Sequence, residues 1–409
     1  MTAAPVLDFA ARLETARRAR ARLATRPVAA TVRALAAAAV RWREDAALAR
    51  ALPAASSLSP EMIAAVLPLA AEALDADAMA ALVEAEWGSG ALERGVPPGA
   101  GLVAHVLASN VPALALPAIA LACLAGAPVL VKSGRHVRLS ADAFVRALAA
   151  VDPDLAATVV TTYWTGGDLE AETALEQADV VVATGSEPAV AALAGRLGRT
   201  VLAHGPRVSV AAIGREPALD VETLARRLAL DVVLHDQRGC LSPHGVWIER
   251  GGGLDPRDFA THLATALGEL ARGLPAGPAP IEERAAARSA REEAEWDSEA
   301  TVIGGDAGTV IYDDRPRFRA GAGRRTIRVQ PLDDLAGLPD LLPVGAVECV
   351  GIAGADCARL APALAARGVS RLCPLGRMQR PSLAWPRGRQ PPLGALLGRR
   401  GPAPIQVEP

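Results

Sequence analysis

Short, strongly apolar runs alternate with segments of helical character between residues 101 and 204, and this alternation constrains the fold more than any other feature. Apolar runs without polar alternation are typical of parallel strands buried on both faces, and strands that alternate with helices form doubly wound sheets. The chain is therefore predicted to be an α/β protein whose ligands bind at the carboxyl ends of its strands. Predicted strands cover 102–107, 128–132, 157–163, 179–183 and 200–203, and predicted helices cover 115–125, 139–150, 169–176 and 188–196.

The run 101–131 is the most hydrophobic stretch of the chain and reaches the length of a membrane span. Pro112, Pro117 and Pro128, together with His105 and Asn110, divide it into short pieces. We therefore predict a buried strand–helix–strand unit with a polar turn at 109–112, and no membrane span.

A second α/β unit is predicted from about residue 206 onward. Its predicted strands cover 209–213, 245–249, 301–303, 309–312 and 325–330. Its predicted helices cover 221–233, 256–273 and 281–297, the last of them charged and solvated. A helix followed by a strand is predicted over 357–374. Ala-, Arg- and Leu-rich helices are predicted over 7–53, 57–67 and 70–86, with a break at Pro68. Residues 381–409, rich in Pro, Gly and Arg, are predicted to form an irregular tail.

The charge balance argues against a chain built to grip nucleic acid or an anionic membrane, because 43 basic and 45 acidic residues leave a net charge of −2. The five cysteines have neither metal-ligand nor redox spacing, and their odd count suits reduced thiols. The first residues lack a basic segment followed by an apolar one, so we expect no secretory signal. These features predict a cytoplasmic protein without a metal site.

Two residues are unique in the sequence. Lys132 is the only lysine among the 43 basic residues, and Asn110 is the only asparagine. Since arginine has replaced lysine everywhere else, these positions mark places where an ammonium and a carboxamide are hard to replace. The alternative is that each has survived by chance.

Cys240 lies in a polar loop between a predicted helix and a predicted strand, with Gly239 before it and Ser242-Pro243 just after. A cysteine in such a setting is a candidate nucleophile. The alternative is a small buried hydrophobic residue, as Cys123, Cys349 and Cys357 are expected to be in their apolar runs.

The sequence around Cys240, Asp-Gln-x-Gly-Cys-x-Ser-Pro (236–243), together with Ser-Asn-Val-Pro (109–112), resembles the acyl-CoA reductase (LuxC-like) family of the aldehyde dehydrogenase superfamily. The resemblance extends from about residue 100 to about 395. It includes Tyr-Trp-Thr-Gly-Gly-Asp (163–168), Ala-Thr-Gly-Ser (183–186), His-Gly-Pro-Arg-x-Ser (204–209) and Pro-Leu-Gly-Arg-Met-Gln-Arg-Pro (374–381).

The resemblance implies an aldehyde-dehydrogenase-like fold with a cofactor-binding domain and a catalytic domain. It implies that Cys240 attacks a thioester, that Asn110 and the Cys240 backbone N–H hold the oxyanion, and that coenzyme A leaves before hydride reduces the acyl group to an aldehyde. We place the helical lead-in and cofactor-binding domain at 1–205, the catalytic domain at 206–376 and the irregular tail at 377–409.

The nicotinamide cofactor is expected near Lys132, Ser133 and Arg135. In the aldehyde dehydrogenase superfamily, a lysine at the position of Lys132 contacts the ribose of the nicotinamide cofactor. NAD-preferring relatives often carry a glutamate three residues later, which binds the adenosine ribose hydroxyls, and this chain has Arg135 at that position. A guanidinium suits a 2′-phosphate, so we expect NADP(H), with NAD(H) as the alternative. Gly185 is expected to allow close backbone approach, and Ser186 to cap helix 188–196 and lie near the nucleotide.

Oxidising relatives carry a glutamate that activates water, in a Glu-Leu-Gly-Gly-Lys stretch. The stretch that resembles it here is Ala-His-Gly-Pro-Arg (203–207), which places Ala203 at the position of the glutamate. This favours reduction over hydrolysis; His204 is either a base or a structural histidine. The alternatives are an aldehyde dehydrogenase or acyl-phosphate reductase of the same fold, or a non-catalytic acyl-binding scaffold. The expected partners are an acyl-CoA or acyl-carrier substrate, an acyl-protein synthetase and a second copy of the chain.

Overall fold

Two β-sheets that follow one another along the chain form the framework of the computed structural model, which describes residues 9–23, 25–95, 100–135 and 137–408. The strands in these residues are β1 (Val103–Val106), β2 (Val129–Lys132), β3 (Val159–Thr162), β4 (Val180–Thr184), β5 (Val201–His204), β6 (Val208–Ile213), β7 (Pro243–Glu249), β8 (Ala300–Gly305), β9 (Gly308–Asp313), β10 (Thr326–Leu332), β11 (Val347–Ala353), β12 (Arg371–Pro374) and β13 (Gln406–Val407). The α-helices are α1 (Phe9–Leu23), α2 (Val28–Arg43), α3 (Ala46–Ser56), α4 (Pro60–Glu72), α5 (Ala76–Trp87), α6 (Ala115–Leu124), α7 (Arg138–Val151), α8 (Pro153–Ala156), α9 (Leu169–Glu176), α10 (Glu187–Leu197), α11 (Val221–Val233), α12 (Pro256–Gly273), α13 (Ile281–Glu295), α14 (Leu338–Leu341) and α15 (Ala361–Ala366).

The first sheet is parallel, with the order β3-β2-β1-β4-β5. Helices cover both of its faces: Val129 and Val131 of β2 pack in the same apolar core as α2, α6 and α7, whereas Leu130 packs with residues of α1, α9 and α10. Burial on both faces is why these strands are continuously apolar, and it confirms the predicted doubly wound sheet. Among the described residues no single helix is long and apolar enough to cross a membrane, and only the bent pair α3–α4, taken together, reaches that length and composition.

The N-terminal helices end at different places from those predicted. Pro53 and Pro68 lie inside α3 and α4, so neither proline marks a boundary. The break comes instead before α5, where the carboxylate of Asp75 accepts a hydrogen bond from the Ala78 N–H and caps the new helix. Residues 7, 8 and 24 of the predicted helical segment 7–53 lie outside the described residues.

The second sheet has the order β13-β12-β11-β6-β7-β10-β9-β8 and is parallel except for the β8–β9 pair. Its predicted strands and helices are present, including the charged helix α13, where Arg291 and Glu295 form an ion pair at 2.8 Å. Strand β11 was not predicted, although it lies next to β6 near the middle of the sheet.

The C-terminal tail, predicted to be irregular, folds back over both sheets and ends in strand β13, which pairs with β12. Arg371 of β12 is fully buried and forms a two-pronged ion pair with Glu408, at 2.7 and 3.0 Å. Earlier in the tail, the Leu393 and Gly394 N–H groups donate hydrogen bonds to Glu86 of α5. These contacts fix the tail between the two sheets.

Candidate active site

The loop that carries Cys240 is held in an unusual backbone conformation between α11 and β7. His235, Asp236 and Gln237 have positive φ angles of 58°, 52° and 60°, a conformation that costs non-glycine residues energy and persists only where the surroundings impose it. Asp236 accepts hydrogen bonds from Arg325 Nη2 at 2.6 Å and from the Gly277 N–H at 2.9 Å. The Gln237 side chain donates to Thr326 O and accepts from the Thr326 N–H. The Asp-Gln pair of the motif therefore shapes the loop.

Cys240 is half-buried and lies where two cavities meet, since it lines both of them. Its backbone carbonyl accepts a hydrogen bond from Ser209 Oγ at 2.8 Å. Burial raises the pKa of the Cys240 thiol, and the Arg387 guanidinium acts in the opposite direction. The other four cysteines are buried, so the structure keeps Cys240 alone of the five within reach of a ligand.

The first cavity is apolar and has a volume of about 240 Å³. Helix α6 and the tail contribute much of its wall, with the imidazoles of His105 and His204 among the polar groups that line it. The apolar lining includes Leu107, Leu114, Pro117, Leu121, Val182, Leu202, Leu383 and Leu396. A cavity of this kind beside a thiol suits an aliphatic chain.

The second cavity is a more polar cleft of about 640 Å³ that shares Cys240 with the first. Asn110, Gly185 and Ser186 line it together with Cys240. The residues after β1 and after β4 meet here because the strand order reverses between these two strands, which is where ligands bind in such sheets. The structure thus brings four of the predicted site residues together.

Asn110 is exposed in this cleft and points toward the Cys240 loop. Its Nδ2 donates a hydrogen bond to the carbonyl oxygen of Arg238, two residues before Cys240, at 2.6 Å. This bond fixes the carboxamide against the Cys240 loop and leaves the second N–H of the amide for another acceptor.

Lys132, Ser133 and Arg135 lie at the end of β2 and are not among the residues that line the polar cleft. The Lys132 ammonium sits 5.8 Å from the centroid of the Tyr163 ring, and Arg135 Nε donates to Tyr163 Oη at 3.3 Å. The Ser133 hydroxyl is buried without a hydrogen-bond partner. Gly134 links this group to the site, because a Cβ there would lie 2.2 Å from Ser109 Oγ, next to Asn110.

Ser186 occupies the N-cap position of α10, as predicted, but its side chain makes no capping hydrogen bond. The predicted side-chain cap was therefore wrong. Pro188 is the second residue of the helix and has no N–H to donate, which removes one of the two usual partners of an N-cap oxygen. Ser186 lines the polar cleft at the start of α10, with its side chain not engaged in a capping bond. Next to Ser186, a Cβ on Gly185 would have 3.9 Å to the nearest atom, so there is room for a ligand at this turn.

Two neighbours on β5 differ in direction. Ala203 is exposed, whereas His204 lines both cavities. Burial and then the Arg387 guanidinium lower the pKa of His204 well below its usual value. The group that β5 presents to the two cavities is therefore a neutral imidazole.

Arg387, from the tail, is the site residue that the sequence analysis missed. It lines both cavities, donates from Nη1 to Thr184 Oγ1 at 3.2 Å and lies over the Trp385 ring, while its buried Nε has no partner. Gly388 has a φ of +58°, and a Cβ there would lie 3.2 Å from His204, so glycine lets the tail approach the site. In a chain whose cations are almost all arginine, nothing in the local sequence distinguishes this one.

Glu348 of β11 is a carboxylate whose charge reaches Cys240 and raises its pKa. It is fully engaged elsewhere, because it accepts from Ser370 Oγ at 2.6 Å and from the Gly388 N–H at 3.3 Å, and it pairs with Arg207 at 3.4 Å. Glu348 therefore anchors the tail and is not free to activate water.

Solved structures of low sequence identity share this fold over nearly the whole chain. An NAD-dependent benzaldehyde dehydrogenase from Corynebacterium glutamicum is 18% identical, with a TM-score of 0.70 over 92% of this chain and 87% of that one. Aldehyde dehydrogenase C from Pseudomonas syringae, in a mutant complex with NAD+ and octanal, is 17% identical, with a TM-score of 0.66 over 90% and 80%. The search of curated proteins found no match.

These similarities define an aldehyde-dehydrogenase-like fold, as predicted. The sequence profile of the acyl-CoA reductase (LuxC) family matches residues 23–388. The chain belongs to the LuxC acyl-CoA reductase family and is an oxidoreductase that acts on an acyl or aldehyde group.

Proposed function

We propose that this protein reduces an acyl thioester to the aldehyde with NADPH, through an acyl group carried on Cys240. The observation that carries the proposal is the position of Cys240 between an apolar cavity and a polar cleft. An acyl chain placed in the apolar cavity brings its carbonyl to the thiol and leaves the polar leaving group in the cleft.

In the first step the Cys240 thiolate attacks the thioester carbonyl carbon and the carbonyl oxygen becomes an anion. The free N–H of the Asn110 amide and the Cys240 backbone N–H are the donors available to this oxyanion. The C–S bond to coenzyme A then breaks, coenzyme A leaves as a thiol with one proton, and the acyl group remains as a thioester of Cys240.

Arg387 supplies the positive charge that favours the Cys240 thiolate, and His204 supplies the acceptor for the thiol proton. The guanidinium of Arg387 favours the thiolate of Cys240, which burial disfavours. Because the His204 imidazole is neutral, it can take the thiol proton and pass it to the sulfur of the departing coenzyme A. The aldehyde oxygen needs no proton, because the thiohemiacetal anion left after reduction collapses to the aldehyde and the Cys240 thiolate.

The acyl-enzyme must be protected from water if the product is an aldehyde. Among the described residues that line the two cavities, the carboxylate is Glu283, and it accepts from Arg238 Nε and Nη2 at 3.2 and 3.1 Å. No unpaired carboxylate of the described lining is therefore available as a base for hydrolysis.

The residues at the carboxyl ends of β2 and β4 fit a nicotinamide nucleotide. Ser133 offers a buried hydroxyl without a partner, Gly185 and Ser186 offer an open turn at a helix start, and Lys132 and Arg135 offer cations near Tyr163. We assign the ribose hydroxyls to Lys132 and the 2′-phosphate to Arg135. When bound, the reduced nicotinamide supplies a hydride to the acyl carbon.

The resemblance also leads us to propose an acyl-protein synthetase as a partner and a homo-oligomer. The cysteine usage leads us to propose a cytoplasmic location.

The test is the oxidation of NADPH with short-, medium- and long-chain acyl-CoAs, with the product trapped as an aldehyde. We expect aldehyde formation that Cys240→Ser abolishes. Cys123→Ser, at a buried cysteine of α6, is the matched control and should retain activity. Release of the free acid in place of the aldehyde, or full activity of Cys240→Ser, would contradict the proposal.

A further inference from the structure

A further cleft of about 440 Å³, called here the arginine cleft after Arg319 and Arg328 in its lining, lies beside the polar cleft and has no role in the reaction proposed above. Helix α13 and the segment before β10 form its walls, and two cations, Arg319 and Arg328, line it. Ala322 lines both clefts, and its neighbour Gly321 packs against His244, which itself lines the polar cleft. The two clefts are therefore adjacent, on either side of this segment.

Arg328 differs from the other buried arginines of the described chain. Arg325 is 2% exposed and pairs with Asp236 at 2.6 Å; Arg371 is fully buried and pairs with Glu408. Arg328 is 8% exposed, yet no carboxylate lies within ion-pair distance of it among the described residues. A buried charge without a partner is costly, so an anion in the cleft would supply what the protein lacks.

The charges around Arg328 do not supply this partner. Asp313 is the carboxylate that raises the pKa of Arg328 most, but its two oxygens accept from Arg315 and Arg317. Glu293 also lines the cleft, is exposed and shares a hydrogen bond with Ser289. Arg319 adds a further positive charge that lowers the pKa of Arg328, after the larger effect of burial. The described lining thus carries two positive charges against one negative charge, and Arg328 is left without a paired carboxylate.

We propose that Arg328 and Arg319 bind phosphate groups of the coenzyme A portion of the thioester, an inference that rests on the proposed function. Coenzyme A carries its phosphates at the end remote from its sulfur, and the forked guanidinium donors match phosphate oxygens. When Cys240 attacks the thioester, the coenzyme A portion lies in the polar cleft, and it can extend past Ala322 into the arginine cleft. The residues assigned to the nucleotide, Lys132 and Arg135, lie at β2 of the other sheet.

The experiment compares two thioesters with the same acyl chain, octanoyl-CoA and octanoyl-pantetheine, which lacks the phosphates. With wild-type enzyme and saturating NADPH, kcat/KM should favour octanoyl-CoA. Arg328→Gln should lower this preference by about tenfold to a hundredfold, the usual range for charged hydrogen bonds. Arg328→Lys should retain part of it. Arg288→Gln, at an exposed position of α13 outside the cleft, is the matched control and should keep the wild-type preference.

Each result decides between explanations. If Arg328→Gln fails to fold, Arg319→Gln carries the test, since Arg319 is exposed. An unchanged preference in both variants overturns the phosphate site, and so does a loss confined to the KM for NADPH, which would assign the cleft to the nucleotide. If wild-type enzyme reduces neither thioester, it is the proposed function that fails.

Discussion

Replacing Glu408 by alanine should destabilise the protein by breaking the buried ion pair that fixes the tail. Glu408 accepts from Arg371 Nε at 2.7 Å and from Nη2 at 3.0 Å, and the Arg371 side chain has no exposed surface. Removing one partner of a buried pair leaves the other charge uncompensated, which costs about 3–5 kcal/mol.

The expected change in Tm follows from the size of the chain. With an unfolding entropy of about 2.1 cal/mol/K per residue, 409 residues give about 0.9 kcal/mol/K, so the variant should melt about 3–6 °C lower. Differential scanning calorimetry measures this directly. Glu408→Gln keeps a hydrogen-bond acceptor but loses the charge, so its Tm should fall between those of Glu408→Ala and the wild type.

The same substitution should also weaken catalysis, because Arg371 holds the segment that supports the site. Arg371 donates to the Met378 and Arg377 carbonyls, and the next residue, Gln379, bonds through Nε2 to Ser242 Oγ at 3.0 Å, two residues after Cys240. Glu216→Ala, at an exposed position, is the control. A Glu408→Ala protein that melts like the wild type would refute the idea that this pair fixes the tail.

Three further predictions concern the site. Asn110→Ala should lower turnover by about 10²–10³-fold, the cost of one oxyanion donor, with the KM for NADPH almost unchanged; a variant with wild-type kcat would make Asn110 only a loop residue. Arg135→Glu should weaken NADPH binding by about tenfold to a hundredfold and leave NADH binding unchanged, whereas Lys132→Arg should weaken the binding of both cofactors. Fluorescence titration measures these affinities. An equal loss of affinity for NADPH and NADH in Arg135→Glu would contradict the assignment. Burial lowers the pKa of His105 and of His235 to about 4, so the unfolded chain binds more protons than the folded one between about pH 6.5 and 4. The free energy of unfolding should therefore decrease as the pH falls through this window, by up to about 1.4 kcal/mol per pH unit for each histidine. Urea titrations of His105→Gln at several pH values should show one of these two contributions removed.

The first sheet could be predicted from the sequence because its strands are buried on both faces and their helices are short and regular. β11 could not, since Glu348 and Gly351 interrupt its apolar pattern. The buried carboxylate of Glu348 is satisfied by Ser370, Gly388 and Arg207, which are distant in sequence. A local pattern contains no information about such partners.

The candidate site divides in the same way. Cys240 and Asn110 stand in local motifs, and the structure places both at one cleft. Arg387 comes to the site because the tail folds back, with a hydrogen bond to Thr184 across 203 positions of the chain. Arg328 likewise is recognisable only from the absence, among the described residues, of the carboxylate that the other buried arginines have.

The acyl-enzyme can be identified by peptide mapping of the protein after incubation with octanoyl-CoA in the absence of NADPH. One octanoyl group should be bound to Cys240 and should disappear with formation of octanal when NADPH is added, and Cys240→Ala should show no acylation. Acylation that persists in Cys240→Ala, or an acyl group on Cys240 that NADPH does not convert to the aldehyde, would contradict the proposed reaction.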